Sequence, residues 1–317
     1  MYDAVAIGEL LVDFACQSTD AGGYPVLAAH PGGAPANFLA VLAHYGMKTA
    51  LLAKVGDDVF GRLLCRTAAQ AGIDTVGIVV DGSVFTTLAF VTLDTDGDRD
   101  FSFARKPGAD MLLRYDELNL SLINQTRVFH FGSVSMTDEP SRDATRRAVE
   151  YARDRGKLVT YDPNLRTPLW KDLSQARQEI LWGLSAADVV KISSEEVEFL
   201  WGLPPQDGAE KLLREYPAKL VFVTCGADGC YYAGRQGAGH VGCPPVRTVD
   251  TTGAGDSFMG GFLYKICESG KRIEEYSLQE MIECVRFGNA VASLCVEREG
   301  AIPAMPVMEE VIKRINS

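Results

Sequence analysis

The chain has 317 residues, 47% hydrophobic and 23% charged, and its 31 Lys and Arg against 42 Asp and Glu give a formal net charge of −11. That length and apolar content allow one large α/β domain or two smaller ones around a sizeable core, and exclude a disordered chain. The acidic balance argues against nucleic acid or an anionic membrane as partner, while a small anionic ligand needs only local positive potential. The eight cysteines include no CxxC pair and have no zinc-like spacing with the four histidines, so reduced thiols are expected, mostly in the core. Met1-Tyr2-Asp3 runs straight into a strand pattern with no leader-like segment, and a cytoplasmic location is expected.

Residues 2–8 (YDAVAIG) form a short apolar run ending in Gly, the pattern of a buried parallel strand. Residues 9–16 continue it with Asp13 embedded, where an acid is disfavoured unless it lies in a turn, is paired or is functional. Pro31-Gly32-Gly33-Ala34-Pro35-Ala36-Asn37 is a turn that opens a helix. Pro35 suits the first helical turn, Phe38, Leu39, Leu42 and Tyr45 make an apolar face, and Gly46 ends it. Asn37, taken alone, is an ordinary residue of the capping region. A strand at 49–55, a helix at 58–71 closed by Gly72 and a strand at 76–80 give the βαβ rhythm of a parallel sheet covered by helices.

The rhythm then breaks. Residues 86–93 and 99–103 flank Asp94-Thr95-Asp96-Gly97-Asp98, a hairpin turn signal. With segments near 12–16 and 25–30 they predict a small antiparallel sheet apart from the main one. Arg105 follows, either a solvated hairpin end or a group that faces a ligand. A strand at 128–131 and a helix at 140–155, with Ala144, Ala148, Tyr151 and Ala152 on one face, lead to a strand at 157–161. That strand ends in Asp162-Pro163-Asn164-Leu165-Arg166, at the place where open α/β sheets take ligands, although a Pro turn with a surface Arg has the same pattern. After a strand at 189–192, Ser193-Ser194-Glu195-Glu196 reads as an N-cap with an acidic first turn. A strand at 219–224 enters the tight turn Cys225-Gly226-Ala227-Asp228-Gly229, hairpin-like strands reach Val241, and the last helix is expected at about 278–296.

Before that helix lies Asp250-Thr251-Thr252-Gly253-Ala254-Gly255-Asp256-Ser257-Phe258. Residues 246–249 read as extended, and Phe258, Phe262 and Ile266 as one helical face. Gly253-Ala254-Gly255 therefore sits where a loop becomes a helix N-terminus, with unpaired N–H groups and a dipole that favours an anion. Asp256 beside such a site is unfavourable unless it has work, such as taking a proton from an attacking hydroxyl. An anion hole next to a base is what phosphoryl transfer to an alcohol needs; a glycine loop with an Asp near a helix cap is the plain alternative.

Residues 250–258 closely resemble the C-terminal signature of the PfkB (ribokinase-like) family of sugar kinases. Gly32-Gly33-Ala34-Pro35-Ala36-Asn37, then Gly46, then Gly56-Asp57-Asp58-Val59-Phe60-Gly61 resemble its N-terminal signature, and the likeness extends over about residues 2–307. The resemblance implies a single α/β domain over 1–317, a ribokinase-like three-layer fold with a mainly parallel central sheet flanked by helices. It also implies a small antiparallel β lid at about 12–31 and 85–106 that serves in homodimer formation. By resemblance Asp256 is the catalytic base and the Gly253, Ala254 and Gly255 amides hold the transferring phosphate. Asp13, Gly32, Gly33 and Asn37 bind sugar hydroxyls, with Arg105, Asp162, Asn164 and Arg166 on the substrate side. ATP falls to Lys191, Glu196, Thr224, Gly226, Gly229 and Asn289. Glu196 helps to organise Mg²⁺ through water, although Ser193 replaces the family's usual Asn. Asp250 and Thr252, with the Gly300-Ala301-Ile302-Pro303 loop, hold a monovalent cation such as K⁺; Ala304 replaces a Ser of ribokinases, which leaves potassium dependence open.

Gly-Gly-Ala-Pro-Ala-Asn, Ala109-Asp110-Met111-Leu112-Leu113 and Asp162–Arg166 are most similar to the fructokinase branch. The implied reaction is transfer from ATP to the 6-hydroxyl of D-fructose, with 2-keto-3-deoxygluconate, ribose or nucleoside kinases as alternatives within the family. A non-catalytic sugar sensor on the same fold is an alternative of another class. A nicotinamide dehydrogenase is disfavoured because Gly253-x-Gly255 lacks the third glycine of a dinucleotide fingerprint, and no Walker-type P-loop occurs.

Overall fold

Alternation along the strands sets the layers. In the computed structural model, which describes residues 1–93 and 99–316, strand β1 (Tyr2–Ile7) sends Ala4 and Ala6 into one apolar core and Val5 and Ile7 into another. Successive strand residues point to opposite faces, so a strand apolar at every position must be covered on both sides. The other parallel strands follow β1: β4 (Thr49–Gly56), the short β5 (Ile73–Asp74) and β6 (Ile78–Asp81), β9 (Thr126–Gly132), β10 (Leu158–Asp162), β11 (Val189–Ser193) and β12 (Leu220–Thr224). An antiparallel hairpin, β13 (Cys230–Gly234) and β14 (Gly237–Val241), completes a ten-stranded sheet of order β14-β13-β12-β11-β10-β9-β1-β4-β5, with β6 also on β4.

One face is covered by α1 (Ala34–His44), α2 (Val59–Gln70), α8 (Ala254–Ser269), α9 (Leu278–Cys295) and α10 (Met308–Ile315). The other carries α3 (Leu120–Asn124), α4 (Ser141–Asp154), α5 (Leu173–Ala186), α6 (Ser194–Trp201) and α7 (Pro205–Glu215). Helix α1 is buried from Pro35 to Leu42, not along one stripe, because it lies between the sheet and α8. No described helix is long and apolar enough to cross a membrane.

The second sheet has four strands, in the order β3 (Pro25–Gly32), β2 (Leu11–Thr19), β7 (Leu88–Leu93), β8 (Arg99–Ala104). Its β2–β3 and β7–β8 pairings are antiparallel, and one parallel pairing, β2 with β7, joins the two hairpins. The turn expected at Asp94–Asp98 lies outside the described residues. In Gly56-Asp57-Asp58-Val59-Phe60-Gly61, Asp58 caps α2 through the Phe60 and Gly61 amides, and its second oxygen accepts the Thr86 N–H at 2.8 Å. That motif therefore fastens α2 to the approach of β7.

Two expectations on elements need correction. The strand expected at 76–80 begins at Ile78, after the separate β5. The helix at 278–296 is not the last: α10 follows it, with Met308, Val311, Ile312 and Ile315 at i, i+3, i+4 and i+7, a helical period legible in the sequence. Of the cysteines, Cys230, Cys267, Cys284 and Cys295 are buried, Cys65, Cys225 and Cys243 partly buried and Cys16 exposed; all are free thiols.

Candidate active site

The carboxyl ends of the parallel strands form one rim. Register places Gly132 beside Asp162, and then Ser193, Thr224, Cys230 and Val241 side by side. Parallel strands present their free carbonyl ends and following loops on that side, which is where such sheets place ligands. Helix α8 starts at the same rim. Its N-cap, Gly253, has φ 75°, in the left-handed region, and a Cβ there would come 2.5 Å from the Ala301 Cβ, so glycine is required on both counts.

Asp256, in the first turn of α8, is 7% exposed. Its Oδ2 accepts from Asn37 Nδ2 at 2.8 Å and its Oδ1 from Asn164 Nδ2 at 3.1 Å. Helix α1 supplies the first amide and the loop after β10 the second. Asn164 has φ 50°, a conformation that Asn tolerates better than most residues, and its own N–H donates to Asp162 Oδ1 at 3.2 Å. Burial, then the Asp162 charge, push Asp256 up to about 6, opposed by the Asn37 bond, Lys191 and Arg166. The carboxylate is thus fixed, nearly dry and close to the basicity that a proton acceptor needs near neutral pH.

Lys191, in β11, donates from Nζ to Asp162 Oδ2 at 2.9 Å, with both side chains buried. Burial works against this ammonium, but Asp162, Glu196 and Asp256 outweigh it and hold its pKa above the ordinary lysine value. A Cβ on Gly255 would lie 2.5 Å from that Nζ. Glycine at 255 therefore lets a cation stand against the helix start, where it adds to the dipole's attraction for an anion. Glu196 forms a capping box with Ser193: its Oε2 accepts the Ser193 N–H at 2.8 Å, and its Oε1 accepts the Leu165 N–H at 2.6 Å. Burial and Asp162 raise its pKa, opposed by Lys191 and the two amides. Asp162 and Glu196 together are a donor set suited to a Mg²⁺ held mainly by phosphates and water.

At the other end of the cluster, Asp13 on β2 stands opposite His30 and close against Gly32. Burial raises Asp13 to about 6, opposed by Arg166 and His30. Arg166 thus exerts its charge on both Asp13 and Asp256. Gly33 has φ 121°, and a Cβ there would run into the Glu9 carbonyl. Glu9, buried at the end of β1, was not anticipated from the sequence; its Oε1 accepts the Ala34 N–H at 2.9 Å and holds the start of α1. Burial pushes Glu9 up to about 7, against the pull of its own N–H and that of Ala34. The embedded-acid argument that singled out Asp13 applies equally to Gly8-Glu9-Leu10.

The remaining expected residues fall into three places. Thr224 closes β12, Gly226 and Gly229 bound the turn before β13, and Asn289 on α9 donates to the Val241 and Gly242 carbonyls at 3.0 and 3.2 Å, so all four line the far half of the rim. Asp250 accepts from the Thr252 amide and hydroxyl at 2.9 and 2.7 Å and from the Gly300 amide at 3.0 Å, which ties the two loops expected around a cation. Arg105 is not a solvated hairpin end. It is buried, with its guanidinium on Asp110, Thr137 and the Val134 carbonyl.

Comparison with known proteins gives this geometry its context. The family model described as pfkB family carbohydrate kinase matches residues 1–308. A relative named Fructokinase-1, from Oryza sativa subsp. japonica, is 42% identical over 316 residues, covering 99% of this chain and 97% of its own. The crystal structure of fructokinase with bound ATP from Xylella fastidiosa superposes with a TM-score of 0.91 at 33% identity, over 100% of this chain and 99% of that one. A fructokinase double mutant from Vibrio cholerae O395, in a form with fructose, ADP and potassium ion bound, gives 0.86 at 28% identity over 99% and 98%. With both signature motifs, the fold and the rim of polar groups in agreement, this chain belongs to the pfkB family of carbohydrate kinases.

Proposed function

We propose that this protein is a fructokinase, transferring the γ-phosphoryl group of ATP to the 6-hydroxyl of D-fructose to give fructose 6-phosphate and ADP. One observation carries the reading: a buried carboxylate, Asp256, held by two amides in the first turn of a helix that starts at Gly253 against the Lys191 ammonium. Asp13, Gly32, Gly33 and Asn37 bind the sugar hydroxyls, with Asn164 and Arg166 alongside. Asn37 Oδ1 is buried without a donor among the described residues, an acceptor that a sugar hydroxyl satisfies. Asp256 takes the proton of the 6-hydroxyl as the new O–P bond forms and the bond to the ADP oxygen breaks. Charge on the transferring phosphoryl oxygens meets the Gly253, Ala254 and Gly255 amides and Lys191.

Glu196, with Asp162, holds Mg²⁺ chiefly through water; the ion, when bound with ATP, neutralises phosphate charge. Thr224, Gly226, Gly229 and Asn289 form the nucleotide wall. The Asp250–Thr252 and Gly300–Pro303 segments take K⁺. The four-stranded sheet acts as the lid, with Arg105 at its root, and a homodimer forms through its outer surface, where Tyr24 and Val26 are exposed. The protein works in the cytoplasm. Assay of a sugar panel with ATP and Mg²⁺ tests the acceptor: D-fructose is expected to give the highest kcat/KM, and a higher value for ribose or 2-keto-3-deoxygluconate overturns the assignment.

A further inference from the structure

The chain passes between the body and the small sheet at four points, and a buried polar side chain, Glu9, Thr87 or Arg105, stands at three of them. Glu9 precedes β2, Ala34 follows β3, Thr87 precedes β7 and Arg105 follows β8. Glu9 joins the first two through the Ala34 N–H. Asp110 joins the other two: it accepts from Arg105 Nε at 2.8 Å and Nη2 at 2.7 Å, and from the Thr87 hydroxyl. Arg105 in turn donates from Nη1 to Thr137 Oγ1 at 2.8 Å and from Nη2 to the Val134 carbonyl at 3.1 Å, both in the turn after β9. The Asp110 and Arg105 side chains are 1% and 3% exposed. A Cβ on Gly108 would run into the Thr87 hydroxyl, so the knot is also tightly packed. A cleft of about 530 Å³ beside it is bounded by Phe103, Arg105 and Lys106 at the exit of β8 and by Pro168, Trp170 and Lys171 after β10.

We propose that Asp110 is a positioning residue for the sugar site: by clamping Thr87 and Arg105 together it fixes both roots of the β7–β8 arm and so sets how the lid meets the acceptor. Asp110 contributes through where it holds the arm, not through contact with the sugar. A buried, fully bonded ion pair suits this role because its geometry is narrow and removal of one partner strands the other charge. The inference rests on the reading that the small sheet covers the sugar.

Two variants test it. Thr87→Val keeps the shape and removes only the hydroxyl; Asp110→Asn keeps an acceptor and removes the charge. In each, KM for fructose is expected to rise, at least about fivefold in Thr87→Val and up to the order of 10²-fold in Asp110→Asn, with KM for ATP unchanged. Amide exchange at Leu88–Val91 in the sugar-free protein is expected to quicken in parallel. If Asp110→Asn does not fold, Thr87→Val decides. Folded variants with lowered melting temperature but parental KM and parental exchange overturn the proposal and leave the clamp as ordinary core. Should the parent fail to phosphorylate fructose, the acceptor assignment fails, and the exchange arm alone still decides the clamp.

Discussion

At the scale of single residues, the raised carboxyls Glu9, Asp13 and Asp256 carry the sharpest consequences. A protonated Asp256 cannot accept the hydroxyl proton, so kcat at saturating substrates should rise with pH through about 6 and then level off, and a flat profile between pH 5 and 8 contradicts the base assignment. Stability should run the other way. A carboxyl raised in the folded state favours folding most below its unfolded pKa near 4, and that contribution is lost as pH rises through the folded value. The melting temperature should therefore fall from pH 5 to 7.5, and Asp256→Asn should flatten part of that fall. The Asn side chain fits because the Asn37 amide, turned over, presents its undonated Oδ1 to the new NH₂ group. Glu196→Gln separates two roles of one residue. It loses one of two backbone acceptors, which costs about 0.5–2 kcal/mol as for other caps, and it should raise the Mg²⁺ concentration needed for half-maximal rate while leaving KM for fructose near the parental value. A magnesium titration that matches the parent's reduces Glu196 to a cap.

At the scale of elements, apolar runs and their Gly and Pro boundaries were a good guide to the local succession and a poor one to what packs on what. The βαβ succession of β4, α2 and β6 was legible because apolar runs separated by Gly signals and a helical apolar face mark parallel strands and their crossover. The departure from that rhythm near 86–103 was legible too, and marked the second sheet. The parallel β2–β7 pairing was not, because it joins residues 76 apart, as Val12 to Leu88, and no local pattern encodes it. The site divided in the same way. Glycines and Asp256 stand in motifs, whereas the Asn37–Asp256–Asn164 triangle forms only when α1, α8 and the loop after β10 meet. Arg105 was visible as a charge in a turn, but its partners Asp110 and Thr137 made it an interior residue. For the lid, saturating fructose should slow amide exchange at Leu88–Val91, since a closed sheet over the sugar loses solvent access. Unchanged exchange argues against closure.

At the scale of the whole molecule, an apolar core packs on each face of one sheet, and against a net charge of −11 the cations at the rim are Lys191 and Arg166. The exposed Tyr24 and Val26 on the hairpin of β2 and β3 belong to the proposed dimer surface, so Val26→Glu should shift sedimentation from dimer to monomer, and an unaltered dimer places the interface elsewhere. The most direct test of the account is the product formed from D-fructose, ATP and Mg²⁺ by the parent and by Asp256→Asn, followed by phosphorus NMR with the melting temperature of each. The parent should give fructose 6-phosphate, and the variant should fold and form it at least about 10²-fold more slowly. A folded Asp256→Asn with near-parental turnover would contradict the mechanism.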